Sequence, residues 1–399
     1  MKDILLAIIR HHIKHCSLNE LENLPAMMDK TRKVMTRTFH SVGQGALYSE
    51  KFKNFTMIYD CGSSSKKSRI EDELKSFKVK NNVINSVFIS HFHNDHINGL
   101  KFLIDNFTIK YLFLPLLTEF EKILWVLENA IHETMDDFIE GIILDPEENI
   151  KGSSTPRIIR ISPNNGNENE VSFDENQDLP PNIKEINSGT KLLINSNNWM
   201  FVPFHFRNNK RTECFITKLK KEYTDIDTKK AIEFVKDKKK FNKIKKSYKN
   251  FEKEIDGSLN STSLVLYSGP SINQKSLKFI SYVSFRNLFL GCFTGNAGCI
   301  YFGDYEANGE SEWYDFNSYF YQYWDNLGSV QIPHHGSVKN YRKEINEKKP
   351  VISILSYGKN NPYGHPSESV IKDILQNNGY PMLVTEEEDT RVKQKFFQI

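Results

Sequence analysis

A cluster of metal-ligating side chain types stands in residues 90–99, which read SHFHNDHING. His91 and His93 are two residues apart and can point to one side of an extended loop. Asp95 and His96 are adjacent and can point to another side. Imidazole and carboxylate groups together suit zinc, and also iron or manganese. One loop could therefore supply ligands to two metal ions about 3.5–4 Å apart, the separation that two-metal hydrolases use.

The segment before this cluster predicts how it is positioned. Residues 84–90, INSVFIS, form a short apolar run rich in β-forming residues, so we predict a strand that ends at the histidines. A site on a loop at the end of a strand is common in layered α/β folds. The alternative is a solvated loop that happens to contain histidines, and further ligand types at later strand ends disfavour it.

The rest of the chain is predicted to alternate strands and helices around a few unusual segments. The first strand is expected near residues 34–40, and apolar residues at helical spacing predict a helix within 118–144. Residues 150–190, rich in Asn, Ser, Pro and Glu, predict a long surface excursion. Residues 207–257 are rich in lysine, and an apolar stripe at spacings of three and four predicts one long helix there.

Five further motifs accompany HFHNDH along the chain. They are SVGQGA, YDCG, FGDYE, IPHHGS and SYGKNNPYGHPSESVI. HFHNDH, YDCG and FGDYE resemble motifs of the metallo-β-lactamase superfamily. SVGQGA, IPHHGS and SYGKNNPYGHPSESVI are similar to the soluble hydrolase domain of the ComEC-type competence proteins and their free-standing relatives. The six motifs together cover most of residues 38–385.

This resemblance implies a fold and a domain organisation. The fold is α/β, a four-layer αβ/βα metallo-β-lactamase sandwich with helical insertions. The hydrolase domain would span residues 34–399, with the excursion at about 150–190 and the lysine-rich insert at about 207–257. Residues 1–33 would form an N-terminal helical extension.

The resemblance also assigns metal ligands within the cluster. His91 and His93 would bind one metal ion, and Asp95 and His96 would bind the other. The cofactors implied are two divalent transition-metal ions, Zn²⁺ or Mn²⁺.

Residues outside the cluster complete that assignment. Asp304 in FGDYE would bridge the two ions, and Asp60 in YDCG would brace the metal loop. His335 of HHGS would complete the second site, with His334 as the alternative. Many superfamily members have another histidine before the bridging aspartate, and His205 is the candidate for it. The competing interpretation of His205 is a histidine packed against aromatic side chains.

The chemistry expected of this ligand set is hydrolysis. Two metal ions lower the pKa of a water molecule between them and polarise the oxygen of the group under attack. Asp95 could orient that nucleophile and receive its proton. His365, in the glycine-rich YGHP turn, could meet the substrate's phosphate or protonate the leaving group. The alternative is that His365 only caps its turn.

The substrate is the least determined part of the prediction, because this fold and site serve many substrates. The narrower resemblance implies a nuclease, with DNA as the expected nucleic acid. Residues 236–250 contain eight lysines, of which Lys239, Lys243 and Lys246 are candidates for phosphate contacts; a solvated helix face is the alternative. The alternative functions are a phosphodiesterase acting on a small phosphoester or cyclic nucleotide, and a catalytically quiet, partner-binding copy of the fold.

Composition sets limits on location and partners. Apolar residues make up 39% and charged residues 26%, as in ordinary globular proteins, and the net charge of +3 indicates no partner by itself. Five scattered cysteines without C-x-x-C spacing indicate a reducing, cytoplasmic environment. The apolar run at residues 4–9 is too short for a signal peptide or a membrane span, and no membrane is expected. Near it, His11/His15 and His12/Cys16 could bind zinc on a helix, although a polar face that docks a protein partner is favoured.

Overall fold

The computed structural model describes most of the chain from residue 32 onward. The described residues are 32–65, 67–77, 79, 82–132, 136–151, 155–163, 169–173, 177–207, 209–223, 226–254, 262–271, 279–285, 288–347 and 351–398. The predicted N-terminal helix lies outside the described residues.

Twelve α-helices lie within the described ranges. They are α1 (Lys67–Ser76), α2 (Asn94–Ile97), α3 (Leu100–Asn106), α4 (Glu119–His132), α5 (Asp137–Leu144), α6 (Pro146–Asn149), α7 (Asn209–Glu222), α8 (Thr228–Lys236), α9 (Lys238–Glu254), α10 (Glu310–Phe320), α11 (Glu344–Glu347) and α12 (Glu368–Gln376).

Eighteen strands lie within the same ranges. They are β1 (Arg32–Phe39), β2 (Gly45–Lys51), β3 (Thr56–Ser63), β4 (Val83–Phe88), β5 (Thr108–Pro115), β6 (Arg157–Ser162), β7 (Glu170–Ser172), β8 (Glu185–Asn187), β9 (Lys191–Ile194), β10 (Trp199–His205), β11 (Leu264–Pro270), β12 (Phe279–Phe285), β13 (Leu288–Gly295), β14 (Gly298–Tyr301), β15 (Leu327–Gln331), β16 (Ile352–Ser356), β17 (Tyr380–Val384) and β18 (Val392–Gln398).

These strands form two mixed sheets. The first has the order β13-β12-β18-β1-β2-β3-β4-β5-β6-β8, and the second has the order β17-β16-β15-β14-β11-β10-β9-β7. Strands β3 to β6 of the first sheet run parallel to one another, and so do β14 to β17 of the second. Because the carboxyl ends of parallel strands meet at one edge of a sheet, the loops after these strands can share a site.

The apolar side chains fall into three clusters, which separate four layers. One cluster packs the first sheet against helices including α3, α4 and the insert helices, one fills the space between the sheets, and one packs the second sheet against α10 and α12. Strand β10 shows the alternation that produces this: Phe201 faces the other sheet, whereas Val202 and Phe204 face the helices. The predicted α/β sandwich of four layers is confirmed.

A buried ion pair joins strands within the inter-sheet core. Arg37 of β1 and Glu50 of β2 are both fully buried, with Nε 2.7 Å from Oε1. Glu50 also accepts hydrogen bonds from Ser268 and from Tyr301 of the opposite sheet. Arg37 in turn donates to Ser329 of that sheet. This network makes polar contact between the two sheets inside an otherwise apolar layer.

Two segments differ from the sequence prediction. Residues 150–190 are more than a surface excursion, because β6, β7 and β8 lie within them and β6 is an interior strand of the first sheet. Its isoleucines, Ile159 among them, are buried. The sequence prediction missed the short apolar run RIIRIS because polar residues flank it.

The lysine-rich insert is three helices, so the prediction of one long helix is wrong. Helices α8 and α9 are separated at Asp237, whose carboxylate accepts hydrogen bonds from the backbone N–H groups of Lys239 and Lys240. An aspartate at this position caps the N-terminus of a new helix. The apolar stripe survives the break, since Ile244 and Tyr248 are buried.

No helix in the described part of the chain is both long and apolar enough to span a membrane.

Candidate metal centre

The predicted ligands come from loops at the carboxyl ends of strands in both sheets. Strand β4 ends just before His91 and His93, and the short helix α2 then carries Asp95 and His96. In the second sheet, Asp304 follows β14 and His335 follows its parallel neighbour β15. The layered fold therefore brings together residues that are more than two hundred positions apart in the chain.

One side of the cluster is formed by two histidines and one carboxylate oxygen. Nε2 of His91 lies 3.0 Å from Nδ1 of His93. Oδ2 of Asp304 lies 3.8 Å from the same Nε2 of His91. The three residues form one of the groups that could hold a metal ion.

The other side uses the second oxygen of the same aspartate. Oδ1 of Asp304 lies 3.1 Å from Nε2 of His96 and 3.8 Å from Nε2 of His335. Asp95 contacts this side as well, with Oδ2 3.2 Å from Nε2 of His335. His335 donates from Nδ1 to the carbonyl oxygen of Ser356, which leaves Nε2 facing the carboxylates.

The residues present fit a divalent metal. His96, Asp304 and His335 are buried, and the ligand atoms of each candidate group lie within 4.8 Å of one another. Nε2 of His96 and Oδ1 of Asp304 are buried without a well-formed hydrogen bond, an expensive arrangement unless another group engages them. Imidazole nitrogens and carboxylate oxygens are ligands that zinc and related metals accept.

Asp60 supports the cluster from behind, as its position in YDCG suggested. The backbone N–H and the hydroxyl of Ser90 donate to its carboxylate at 2.6 and 2.7 Å. Nδ1 of His96 donates to the same carboxylate at 2.8 Å. Since that bond fixes the tautomer of His96, Nε2 is left facing the site.

The family comparison agrees with this geometry. Residues 51–134 match the family model described as Metallo-beta-lactamase superfamily, and this stretch contains the whole HFHNDH cluster. The chain carries a metallo-β-lactamase superfamily domain. The superfamily is one of metal-dependent hydrolases, so the domain is that of a metallo-β-lactamase-fold hydrolase whose His and Asp groups could hold metal.

Solved structures show similarity at low identity. The metallo-beta-lactamase fold protein YhfI from Bacillus subtilis has 7% identity and a TM-score of 0.39, covering 89% of this chain and 98% of its own. Human tRNase Z, short form, has 11% identity and a TM-score of 0.33, covering 90% and 98%. The superfamily protein ST1585 from Sulfolobus tokodaii has 14% identity and a TM-score of 0.21, covering 44% and 56%. No curated protein matches this chain.

In the metallo-β-lactamase site, neighbouring charges shift the pKa values of His96 and Asp304 in the direction opposite to burial. Burial lowers the pKa of His96, but surrounding carboxylates, Asp304 foremost, raise that pKa well above its usual value. Burial raises the pKa of Asp304, but the neighbouring histidines, His334 foremost, hold it well below its usual range. Protons and metal ions therefore compete for the same buried atoms, and metal binding should release protons.

Two further histidines of this domain line one rim of the site. His334 is partly exposed, with Nε2 3.4 Å from Oδ2 of Asp304 and Nδ1 2.8 Å from the side chain of Asn340. The ring centre of His365 lies 5.5 Å from that of His334. Burial first, and then the charges of His334 and His335, lower the pKa of His365 to about 4. His365 is thus close to the cluster and neutral at neutral pH.

The structure does not bring His205 to the metallo-β-lactamase cluster. Its Nδ1 donates to the carbonyl oxygen of Ile161 in β6, and β5 separates β6 from β4, which carries the metal loop. With strands about 4.8 Å apart, that offset is roughly 10 Å. Burial, rather than a charge from the cluster, dominates the lowering of its pKa to about 4. The described residues form the candidate metal groups without His205.

Several supporting residues of the domain were missed from sequence. Gln331 accepts hydrogen bonds from the N–H groups of Phe302 and Gly303 and donates to Gly303, which ties the loops after β14 and β15 together. On helix α4, Trp125 packs against the rings of His91 and His93. The helix was predicted, but its sequence does not reveal which face meets the metal loop.

We expect Gly62→Ala to weaken metal binding by displacing the metal loop. A Cβ at this position would lie 2.5 Å from the backbone of Asp95 and His96, closer than real contacts allow. Gly62 has no positive φ, so the substitution tests space alone. Misplacing ligands in this way should reduce Zn²⁺ affinity about 10- to 100-fold, measured by competition with a chelator.

The matched control is Gly141→Ala in helix α5. The three atoms nearest to its added Cβ would belong to the side chain of Asn149, at 2.6–2.8 Å, so the crowding is similar but lies outside the cluster. If Gly62→Ala bound Zn²⁺ as tightly as the native protein, the close approach of β3 to the metal loop would have no role in shaping the site.

Proposed function

We propose that this protein is a metal-dependent nuclease that hydrolyses phosphodiester bonds. The observation that carries the proposal is the placement of Asp304, whose two carboxylate oxygens face two separate groups of histidines. An aspartate shared in this way suits a pair of Zn²⁺ or Mn²⁺ ions, the arrangement used by many enzymes that cleave phosphodiesters. The resemblance of SVGQGA, IPHHGS and SYGKNNPYGHPSESVI to the ComEC-type domain supports nucleic acid as the substrate.

The side chains around the pair would divide the remaining work. When bound, the metals would acidify a water molecule and polarise the phosphoryl oxygens. Asp95 contacts His335 through Oδ2, and its carboxylate would orient that water and accept its proton. His365 is neutral at neutral pH and would meet the phosphate as a hydrogen-bond donor. Negative charge on the substrate would raise the pKa of His365 and let it protonate the leaving oxygen.

The lysine-rich insert gives weaker support to nucleic acid. Lys239, Lys243 and Lys246 are exposed on α9, at spacings of four and three that place them on one helix face. Such a face could contact successive phosphates, and binding would then fall steeply with salt. The protein partner at the N-terminal helix and the cytoplasmic location stay predictions.

The deciding experiment measures metal content and then cleavage. Purified protein is analysed for metals and incubated with labelled single- and double-stranded DNA and RNA, with Zn²⁺ or Mn²⁺ added. We expect cleavage that a chelator abolishes and metal restores. Turnover of a small phosphodiester without cleavage of any nucleic acid would instead support the alternative phosphodiesterase, and full activity in a metal-free protein would refute both.

His365→Ala is expected to keep the metals and the fold while turnover falls about 10²–10⁴-fold, as for loss of a general acid. The metals should be kept because His365 lies on the rim of the site, beside His334 and outside the candidate metal groups. The deficit should shrink on a nitrophenyl phosphodiester, because nitrophenol leaves without a proton. Loss of a metal ion would show that His365 is a ligand, and unchanged turnover would restrict it to shaping its turn.

A further inference from the structure

Helix α4 lies directly behind the histidines of the first metal group. The indole of Trp125 packs against His93, with ring centres 5.0 Å apart. One turn later on the same face, Oε1 of Glu128 lies 3.9 Å from Nε2 of His93. The other ring nitrogen of His93, Nδ1, faces His91 inside the site. His93 is therefore placed between the cluster and a carboxylate on α4.

Glu128 is in turn held by the lysine-rich insert. The hydroxyl of Tyr248, a fully buried residue of α9, donates to Oε2 of Glu128. Further contacts join the insert to α4. Lys245 donates to the carbonyl oxygen of Ile131 at 3.0 Å, and Thr228 donates to Glu119 at 3.1 Å.

We propose that the insert is a positioning element for the metal centre, acting through Tyr248 and Glu128 on His93. A carboxylate on the outer nitrogen of a ligating histidine fixes its tautomer and ring orientation and makes the inner nitrogen more basic. The tyrosine keeps one oxygen of Glu128 occupied, so that the other stays directed at His93. This inference rests on the metal centre of the proposed function, and it does not depend on what the substrate is.

A competing role for Glu128 must be separated from this one. Nε2 of His132 also lies 3.9 Å from Oε1 of Glu128, one turn along the same helix. Glu128 could therefore serve only a local pair on α4. In that case, removing the imidazole with His132→Ala would have the same effect as Glu128→Gln.

The test compares Zn²⁺ affinity, measured by competition with a chelator, among four variants and the native protein. Glu128→Gln should weaken one of the two binding steps about 10- to 100-fold, the range typical of lost support to a ligating histidine. Tyr248→Phe removes only the hydroxyl and should weaken the same step about tenfold. His132→Ala should leave both steps unchanged. Ser247→Ala is the matched control, because it removes a neighbouring hydroxyl of α9 that donates to Glu222 of α7 instead of to Glu128.

Thermal unfolding of the metal-free proteins separates positioning from general stability. Tyr248→Phe and Ser247→Ala should lose similar stability, since each loses one hydrogen bond to a glutamate, whereas only Tyr248→Phe should lose metal affinity. Native affinity in Glu128→Gln and Tyr248→Phe would overturn the inference, and so would an equal loss in the Ser247→Ala control. A failure to cleave nucleic acid would refute the proposed function alone, because Zn²⁺ binding is measured without substrate.

Discussion

Asp304→Asn is expected to reduce the metal content of the protein from about two ions to one or fewer and to reduce turnover at least about 10³-fold. Asp304 belongs to both sides of the cluster, and the neighbouring histidines keep it ionised despite its burial. Asparagine has the same shape without the charge, so the change removes the shared anionic ligand. Losing several kcal/mol of transition-state stabilisation by metal corresponds to this fall in rate. Elemental analysis and turnover measured on the same sample check the prediction.

Asp315→Asn is the matched control for Asp304→Asn. Asp315 lies on α10, in the same half of the fold, and it is outside the candidate metal groups. The control should keep its metals and its activity. An Asp304→Asn protein that retained two metal ions would remove the basis for a bridged pair and for the mechanism built on it.

Glu50→Ala is expected to lower the free energy of unfolding by about 3–5 kcal/mol. The substitution leaves the guanidinium of Arg37 fully buried without its counter-charge, which is the costly way to break a buried ion pair. It also leaves the hydroxyls of Ser268 and Tyr301 without their acceptor. At about 2–4 °C per kcal/mol for a large domain, the Tm should fall by roughly 10 °C, measured by thermal unfolding.

Two further variants test whether burial of the ion pair is the reason for the loss of stability. Lys101→Ala breaks an exposed pair with Asp105 on α3 and should cost less than about 1 kcal/mol. The double variant Arg37→Met with Glu50→Leu should recover most of the loss, because an apolar pair of similar volume leaves no buried charge. A Glu50→Ala protein as stable as the native one would show that the network contributes little to holding the sheets together.

The parts of the fold predicted well were those with a local signal. The apolar run before HFHNDH predicted a strand there, and β4 ends at residue 88, just before the histidines. Asp60, Asp304 and His335 were reached through motifs, and the structure places all three against the cluster. Their roles as ligands or supports stay predictions until metal is measured.

The parts predicted poorly depend on packing between distant elements. His205 stands in a strand that was predicted correctly, but only the order of strands in the opposite sheet places it beside Ile161 rather than the metal loop. Glu128 looks like any polar residue of an amphipathic helix, and nothing local indicates that His93 lies next to it. Asp237 suits a helix interior poorly and an N-cap well, so it was a local indication that one helix ends and another begins there. The continuous apolar stripe favoured a single helix, and that pattern decided the prediction.

Because the ligands come from two distant stretches of chain, the site can be completed only late in the synthesis of the protein. The histidines after β4 leave the ribosome more than two hundred residues before Asp304 and His335. At about 5–20 residues per second, synthesis of the intervening chain takes roughly ten to forty seconds. During that interval the nascent chain has only half of the site, and the loops from the second sheet do not yet exist to complete it. A growing chain therefore passes close to messenger RNA while it is still unable to assemble the centre that we propose cuts nucleic acid.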